Sequence, residues 1–369
     1  MKKWIPTISA LTMVVLAVSL TGCGQKKDDN TEVAIPAATD TASGKLQIEA
    51  SFYPMYEFAS QVAGDLADIH LLIPASVEPH DWEPTPQDIG KIEQADILVY
   101  NGGGLEGWVE QVLASSTSSK LSAVEASKGL ELMEGTEDHE HEGEEAHDHH
   151  DEISANKDEH DHHDEVSANK DEHDHRDEAG TNQDAGAQQD DHDHGGLDPH
   201  VWLSPKLAIQ EVRNIEAALI AKAPEHKDEF TKNADAYVAK LEQLDDDYRK
   251  ALENTKRKDF ITQHTAFGYL AKTYGLTQVP IAGLSPEQEP SALAMTEVVK
   301  FAKEHQVKTI FFETLVSSQV AETIAKEIGA KTDVLNPLEG LTEEDQANHL
   351  DYIAVMRKNL EVLKAALNE

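Results

Sequence analysis

Three histidines lie where loops from separate parts of the chain could converge on one ion. His80 lies in EPHDW and His200 in DPHVW, so each follows a proline and precedes a tryptophan by two residues. His264 closes ITQH, a run with the composition of a buried strand. Because the carboxyl ends of parallel strands form a common ligand-binding edge, we expect these three imidazoles to meet there. The alternative for each is a solvated loop histidine.

Two carboxylates compete to complete such a site. Glu339 lies in NPLEGL, a segment that directly follows a predicted strand, and it precedes a glycine, which leaves it free to turn inward. Glu313 lies at the end of another predicted strand. Glu313 could instead serve as a charged or hydrogen-bonding anchor near the site. Three neutral imidazoles and one carboxylate suit Zn²⁺, which favours four ligands with nitrogens at about 2.0–2.1 Å. A site richer in carboxylate would suit manganese better.

The same residues also permit a catalytic zinc site, which would keep an open position for water and a general base nearby. Glu78, two residues before His80, or Glu339 could be that base. The sequence contains neither a His-Glu-x-x-His helix nor a nucleophile elbow, so we predict that the protein is not an enzyme. The remaining histidines outside the acidic insert lie in strand or charged helix patterns and are predicted to be structural or surface residues, namely His70, His226, His305 and His349.

A histidine-rich acidic insert separates His80 from His200. Residues 137–194 contain 23 acidic residues, three basic residues and 12 of the 19 histidines, and the unit DEISANKDEHDHH is followed by a near copy of itself. The insert has too few apolar residues to offset the conformational entropy that folding would cost. We therefore predict a mobile loop with several weak, exchanging zinc sites. It would collect zinc or sense high zinc, unless it is a passive linker. The candidate ligands are His139, His141, His147, His149, His150, His160, His162, His163, His173, His175, His192 and His194.

Predicted strands and helices alternate on both sides of the insert, and they would position these side chains. Short apolar runs typical of strands alternate with helical periods, which predicts α/β lobes with parallel sheets. Between the lobes, a charged segment from about Glu225 to Asn254 has apolar residues at steps of three and four, which predicts one long helix of roughly 45 Å. We therefore expect a signal peptide at 1–22, a flexible tether at 23–44, a lobe at 45–223, a linking helix at 224–255 and a second lobe at 256–369.

Composition and the first residues indicate where the protein works. The net charge of −39 argues against a nucleic-acid partner and favours cations. Two lysines, an apolar run and the sequence LTGC form a secretory signal with a small-residue cleavage site, and Cys23 is the only cysteine. The position of Cys23 after LTG resembles the lipobox of bacterial lipoproteins, so we expect Cys23 to be lipidated and to hold the protein at the outer face of the cell membrane. The alternative is an ordinary signal peptide with an incidental cysteine.

Several motifs resemble one family of carriers. EPHDWEPTP, DPHVWLSP and the histidine-acid insert between them are similar to the zinc-binding lipoproteins of bacterial ABC importers, the ZnuA/AdcA-like group. The resemblance extends from about Leu46 to the end of the chain. It implies two Rossmann-like α/β lobes joined by a long rigid helix, with Zn²⁺ in the cleft between them. By position it assigns the zinc ligands to His80, His200, His264 and Glu339. Manganese-binding relatives have a glutamate where His264 stands.

The resemblance also implies the partners. The chain would act as a monomer that captures Zn²⁺ outside the membrane and docks on an ABC permease, which works with an ATPase. A manganese carrier of the same family is the alternative nearest to this one. A surface adhesin and a zinc hydrolase are the alternatives from other functional classes.

Overall fold

Strands and helices alternate through both halves of the computed structural model, which describes residues 44–135 and 196–369. The strands are β1 (Leu46–Ala50), β2 (Ala67–Leu71), β3 (Ile97–Tyr100), β4 (Ser122–Glu125), β5 (Asp259–Thr262), β6 (Thr277–Pro280), β7 (Thr309–Phe312) and β8 (Lys331–Val334). The helices are α1 (Tyr53–Ala63), α2 (Pro86–Gln94), α3 (Val109–Ser115), α4 (Pro205–Lys222), α5 (Lys227–Leu252), α6 (Gly268–Tyr274), α7 (Ala292–Glu304), α8 (Gln319–Ile328), α9 (Glu343–Ala347) and α10 (Tyr352–Ala366).

The strands form two parallel four-stranded sheets with the same topology. The first has the order β2-β1-β3-β4 and the second the order β6-β5-β7-β8. All pairs are parallel, so the carboxyl ends of the strands in each sheet lie at one edge. In such sheets the loops at that edge form the ligand-binding crevice. The predicted α/β class with two parallel sheets is confirmed.

Helix α5 is the long helix that the spacing of apolar residues predicts. Its 26 residues span about 39 Å at 1.5 Å per residue. The predicted apolar stripe is confirmed, because its eight members are buried: Phe230, Ala234, Tyr237, Val238, Leu241, Leu244, Tyr248 and Leu252. These side chains belong to one hydrophobic core that also contains Phe58 from the first half and Met356 from the second. The helix therefore contributes to the packing of both halves.

Two details of the fold differ from the sequence-based expectation. Strand β4 was not predicted, because Ser122–Glu125 contains one large apolar residue, and the strand lies at the edge of its sheet. The spacing of apolar residues predicts a single helix from Glu343 to Leu367, and this prediction is wrong, because two helices occupy this range. The chain leaves the helical path at His349, which has a φ of 52°, and α10 starts anew where the Asp351 side chain accepts a hydrogen bond from the Ala354 amide at 2.7 Å.

The described part of the chain contains no helix that is both long and apolar enough to cross a membrane.

Candidate metal centre

His80 is supplied by the loop that joins β2 to α2. Its backbone amide donates to both carboxylate oxygens of Glu78, at 3.0 and 3.1 Å, and Pro79 between them limits the conformations of this turn. The far end of the loop is fixed by a capping box, in which Thr85 accepts from the Asp88 amide at 3.3 Å and Asp88 accepts in return from the Thr85 amide at 3.2 Å. The imidazole of His80 is held in a buried position, with 8% of the residue exposed.

His200 follows the insert and is anchored through the residues before it. Its backbone amide donates to Asp198 Oδ1 at 2.9 Å, and its ring Nδ1 lies 2.8 Å from the same oxygen. Asn101, at the carboxyl end of β3, donates to the Pro199 carbonyl at 2.9 Å. Tyr269 donates to the Asp198 carbonyl at 2.7 Å. These contacts leave Nε2 of His200 as the ring atom that faces the other candidate ligands.

His264 lies beyond the carboxyl end of the central strand β5. Its backbone amide donates to Glu313 Oε1 at 3.1 Å, and its ring Nδ1 lies 2.6 Å from the same oxygen. Its carbonyl accepts from Gln278 Nε2 at 2.8 Å, so both sides of the backbone are held. Glu313 therefore contacts the outer nitrogen of the ring. It acts as the anchor that was one of its two expected roles.

Glu339 is turned toward the histidines by a tight loop after β8. The Leu338 amide donates to Asn336 Oδ1 at 2.7 Å, and Leu338 has a φ of 57°. The next residue, Gly340, lies so close to the first half that an added Cβ would be 2.1 Å from the Ala75 carbonyl oxygen. The Leu341 amide donates to that same oxygen at 2.7 Å. A glycine is required here because the two backbones touch.

The structure brings all four predicted ligands together. One ligand atom from each of His80, His200, His264 and Glu339 lies within 4.8 Å of the others, and all four residues are buried. Glu339 Oε1 is 3.3 Å from the Nε2 atom of each histidine. The Nε2 atom of His200 is 3.3 Å from that of His80 and 3.4 Å from that of His264. A tetrahedron of ligands at about 2.0–2.1 Å from zinc has edges of about 3.3 Å, so the cluster has the dimensions of a zinc site.

The charges in the cluster are also those that a cation would stabilise. Burial alone would raise the pKa of Glu339, but His264 and the contacts from the three rings lower it well below its ordinary value. Burial opposes a charge on His264, yet Glu313 and Glu339 outweigh burial and raise its pKa to about 10. Burial lowers the pKa of His80 to about 4, so that ring is neutral at pH 7. In the metal-free protein, protons therefore take the place of part of the positive charge that a metal would supply.

A second carboxylate lies beside the cluster. Burial, followed by the negative charge of Glu339, raises the pKa of Glu78 to about 8. Its Oε1 is 4.0 Å from His80 Nε2, farther than the Glu339 oxygen. Glu78 and Asp198 occupy equivalent positions, because each precedes its histidine by two residues and accepts from that histidine's amide. The shared acid-Pro-His pattern in the sequence was the signal for this role, which sequence reasoning did not assign to Asp198.

A cavity of about 570 Å³ borders the cluster at His80. His80 lines it, together with Trp82, Trp108 and the turn formed by Gly102 and Gly103. The two indoles pack edge to face, with centroids 5.5 Å apart. They form an apolar wall beside the histidine that is least deeply buried of the three.

The described residues on either side of the insert come together near this centre. Glu134 and Leu197 form an antiparallel bridge, and the Asp198 amide donates to the Met133 carbonyl at 2.8 Å. The twelve insert histidines predicted to bind zinc weakly lie outside the described residues, and so does Cys23. The residues that flank the insert are therefore paired next to Asp198-Pro199-His200, which supplies a candidate ligand.

Comparison with known proteins identifies the family. Residues 48–366 match the family model described as "Zinc-uptake complex component A periplasmic". The chain belongs to this family. It is 45% identical to the high-affinity zinc uptake system protein ZnuA of Bacillus subtilis (strain 168), over 99% of this chain and 98% of that protein. It is 40% identical to the zinc-binding lipoprotein AdcA of Streptococcus pneumoniae, over 98% of this chain but 61% of AdcA.

Solved structures of family relatives share the fold. The Zn(II)-bound ZnuA-like domain of Streptococcus pneumoniae AdcA has 39% sequence identity and a TM-score of 0.66, and the match covers 88% of this chain and 100% of that domain. The laminin-binding protein Lmb of Streptococcus agalactiae, described as a bifunctional protein with adhesin and metal transporting activity, has 33% identity and a TM-score of 0.67. That match covers 88% of this chain and 100% of Lmb.

Proposed function

We propose that this family member captures Zn²⁺ outside the cytoplasm with His80, His200, His264 and Glu339. The observation that carries the proposal is the buried cluster of three imidazole nitrogens and one carboxylate oxygen, in which five of the six distances between ligand atoms are 3.3–3.4 Å. Such a ligand set replaces the whole hydration shell of a four-coordinate ion. The zinc-binding names of relatives at 40–45% identity support the same assignment.

The bound ion is cargo for an importer in this proposal. The chain would dock as a monomer on an ABC permease, which works with an ATPase, and a change in the loops that hold the ligands would release the ion. Lipidated Cys23 would hold the protein at the outer face of the membrane. The lipoprotein name of AdcA supports this location. A chain with Cys23→Ser is expected in the soluble fraction after cell fractionation, and its retention in the membrane would contradict the anchor.

A carrier fits the cluster better than a zinc hydrolase does. Catalytic zinc usually keeps one position open for water, whereas the fourth corner here is taken by Glu339, whose Oε1 lies equally close to all three rings. We therefore propose that the protein is not an enzyme.

The experiment that tests zinc capture is a competition titration of Zn²⁺ against Mn²⁺. The titration needs a chain without residues 137–194, because the insert histidines would also bind metal. The deletion joins Thr136 to Gly195, so these two residues alone would connect Gly135 to Gly196. The Gly135 amide donates to the Gly196 carbonyl at 2.5 Å. A two-residue connection is a common length for a hairpin loop, so the deletion suits the local structure.

The shortened chain is expected to bind one Zn²⁺ tightly and to prefer it over Mn²⁺. The matched control is the same deletion with His80, His200 and His264 changed to alanine, which should lose the tight site. Preference for Mn²⁺ would favour the manganese carrier. Equal zinc affinity in the deletion chain and its triple-alanine control would refute the assignment of the ligands.

A second function is favoured by one comparison. Lmb and the laminin-binding protein Lbp of Streptococcus pyogenes have 33–34% identity to this chain and match 100% of their own length. Adhesion to laminin is therefore a candidate for this chain as well. Binding to immobilised laminin, measured with a mutant of the zinc cluster alongside the parent, would separate adhesion from zinc capture, and no binding by either protein would exclude it.

A further inference from the structure

A second groove lies at the free edge of the first sheet, away from the candidate zinc ligands. It has a volume of about 710 Å³. Strand β2 forms one wall with His70, the start of α1 contributes Tyr53, and Gln346 lines it from the second half. Glu49 of β1 also lines it. We name this the edge groove.

Glu49 and His70 are neighbours across the sheet. They are paired in the register of β1 and β2. Neighbouring strands are about 4.8 Å apart, and paired residues in a parallel sheet project from the same face. The register therefore places a carboxylate and an imidazole side by side in the edge groove. Both are ligand types that zinc accepts.

The carboxylate of Glu49 lacks the partner that a buried group requires. Only 5% of Glu49 is exposed. Within the described part of the chain, its Oε2 is buried and has no hydrogen-bond partner. Burial raises the pKa of Glu49, and the charges of His70 and Lys91 offset burial only in part. Burying a carboxylate oxygen without a hydrogen-bond partner costs free energy, and a cation bound at Oε2 would offset that cost.

The nearby lysine does not fill this role. Lys91 Nζ is 2.8 Å from Asp88 Oδ1, so its charge is already paired. His70, in contrast, is an exposed residue of the edge strand β2 and lines the edge groove. The sequence pattern predicted a structural or surface role for His70, and nothing in the proposed capture of zinc uses it.

We propose that Glu49 and His70 bind a second zinc ion in the edge groove. Two protein ligands leave the remaining positions to water, so this site should be weaker than the four-ligand cluster and should fill only when zinc is in excess. The site shares no ligand with the cluster. It would give the protein a second response to high zinc that does not depend on the insert.

The test is anomalous X-ray diffraction from crystals of the full chain grown with excess zinc chloride, measured above and below the zinc absorption edge. We expect a zinc peak between Glu49 and His70 in addition to the peak in the cluster. Glu49→Gln and His70→Gln should each remove the groove peak and leave the cluster peak. If Glu49→Gln fails to fold, the exposed His70→Gln variant still decides.

His305→Gln is the matched control, because His305 is another exposed histidine near a carboxylate. Its Nδ1 lies 4.0 Å from Asp259 Oδ1, but its ring stacks on Phe301 at 3.9 Å between centroids. This variant should keep the groove peak. In solution, zinc should protect His70 from diethyl pyrocarbonate, read by mass spectrometry, in the parent but not in Glu49→Gln.

The outcomes for the two sites are separate. A cluster peak without a groove peak in the parent would overturn this inference and leave zinc capture intact. A groove peak that persists in both variants would also overturn it. A groove peak without a cluster peak would instead count against the proposed capture site.

Discussion

At the scale of single residues, sequence reasoning found the candidate ligands and offered Glu313 as an anchor near the site, but it did not assign an orienting role to Asp198. Proline-histidine motifs and strand ends were enough to single out His80, His200 and His264. The choice between Glu339 and Glu313 depended on which way each loop turns. That turn is set by a hydrogen bond from the Leu338 amide to Asn336 and by contact of Gly340 with the first half. Spacing along the chain contains no information on such contacts.

Asp198 is expected to support zinc binding without touching the ion. Its Oδ1 lies 2.8 Å from His200 Nδ1 and fixes the ring with Nε2 toward the cluster. Asp198→Asn keeps an acceptor for the His200 amide but removes the charge. Loss of such an outer partner typically costs 10–100-fold in metal affinity, and we expect a reduction of about that size. Titration against a chromogenic chelator measures it, with the exposed Asp235→Asn as control; an unchanged affinity would contradict the role.

Zinc binding should release protons, because the pKa of His264 is raised to about 10 in the metal-free cluster. At pH 7 that ring is protonated, and zinc requires the neutral form. For one displaced proton, affinity should fall about tenfold for each unit of pH below the pKa. His80, with a pKa of about 4, should contribute no proton at pH 7.

Calorimetry at pH 7 in buffers of different ionisation enthalpy counts these protons. Glu313→Gln should reduce the number of protons released, because the charge of Glu313 raises the pKa of His264 more than the charge of Glu339 does. Zinc binding with no proton release in the parent would contradict the assigned charge state.

At the scale of secondary-structure elements, the sequence predicted features that follow from the burial of apolar residues. It did not predict a polar edge strand or the point at which a helix is interrupted. The eight-residue stripe of α5 follows from apolar periodicity, and all eight members are buried. Strand β4 has one large apolar residue and lies at a sheet edge, so periodicity gives almost no signal. The break between α9 and α10 depends on a left-handed residue, His349, and a new cap at Asp351, neither of which interrupts the apolar pattern.

The stripe of α5 is expected to stabilise the whole described fold. Leu241 is fully buried near the middle of the helix, and its neighbour Glu242 is exposed. Leu241→Ala should lower the free energy of unfolding by about 2–5 kcal/mol, the range for a large-to-small change in a core. Glu242→Ala should leave it within about 0.5 kcal/mol. Chemical denaturation of the two variants checks this, and equal stability would mean that the core relaxes around Leu241.

At the scale of the whole molecule, the candidate site is built where the two halves touch. His80 comes from the first half, and His264 and Glu339 come from the second. Trp202 Nε1 donates to the Pro337 carbonyl at 2.8 Å, and the Leu341 amide donates to the Ala75 carbonyl at 2.7 Å. Two lobes and a long helix were predicted from the sequence. The contacts that set the distance between the halves were not, because each joins residues far apart along the chain.

Zinc binding should therefore depend on the contact between Gly340 and Ala75 about as strongly as on a residue that orients a ligand, such as Asp198. A Cβ at position 340 would meet the Ala75 carbonyl oxygen at 2.1 Å, and backbone cannot move aside as a flexible side chain does. Gly340→Ala must displace the loop that positions Glu339, and we expect zinc affinity to fall about 10–100-fold, as for loss of an outer support. Gly90→Ala is the control, since an added Cβ there meets nothing within 4 Å. If chelator titration gave both variants the parent's affinity, the position of Glu339 would not depend on this contact between the halves.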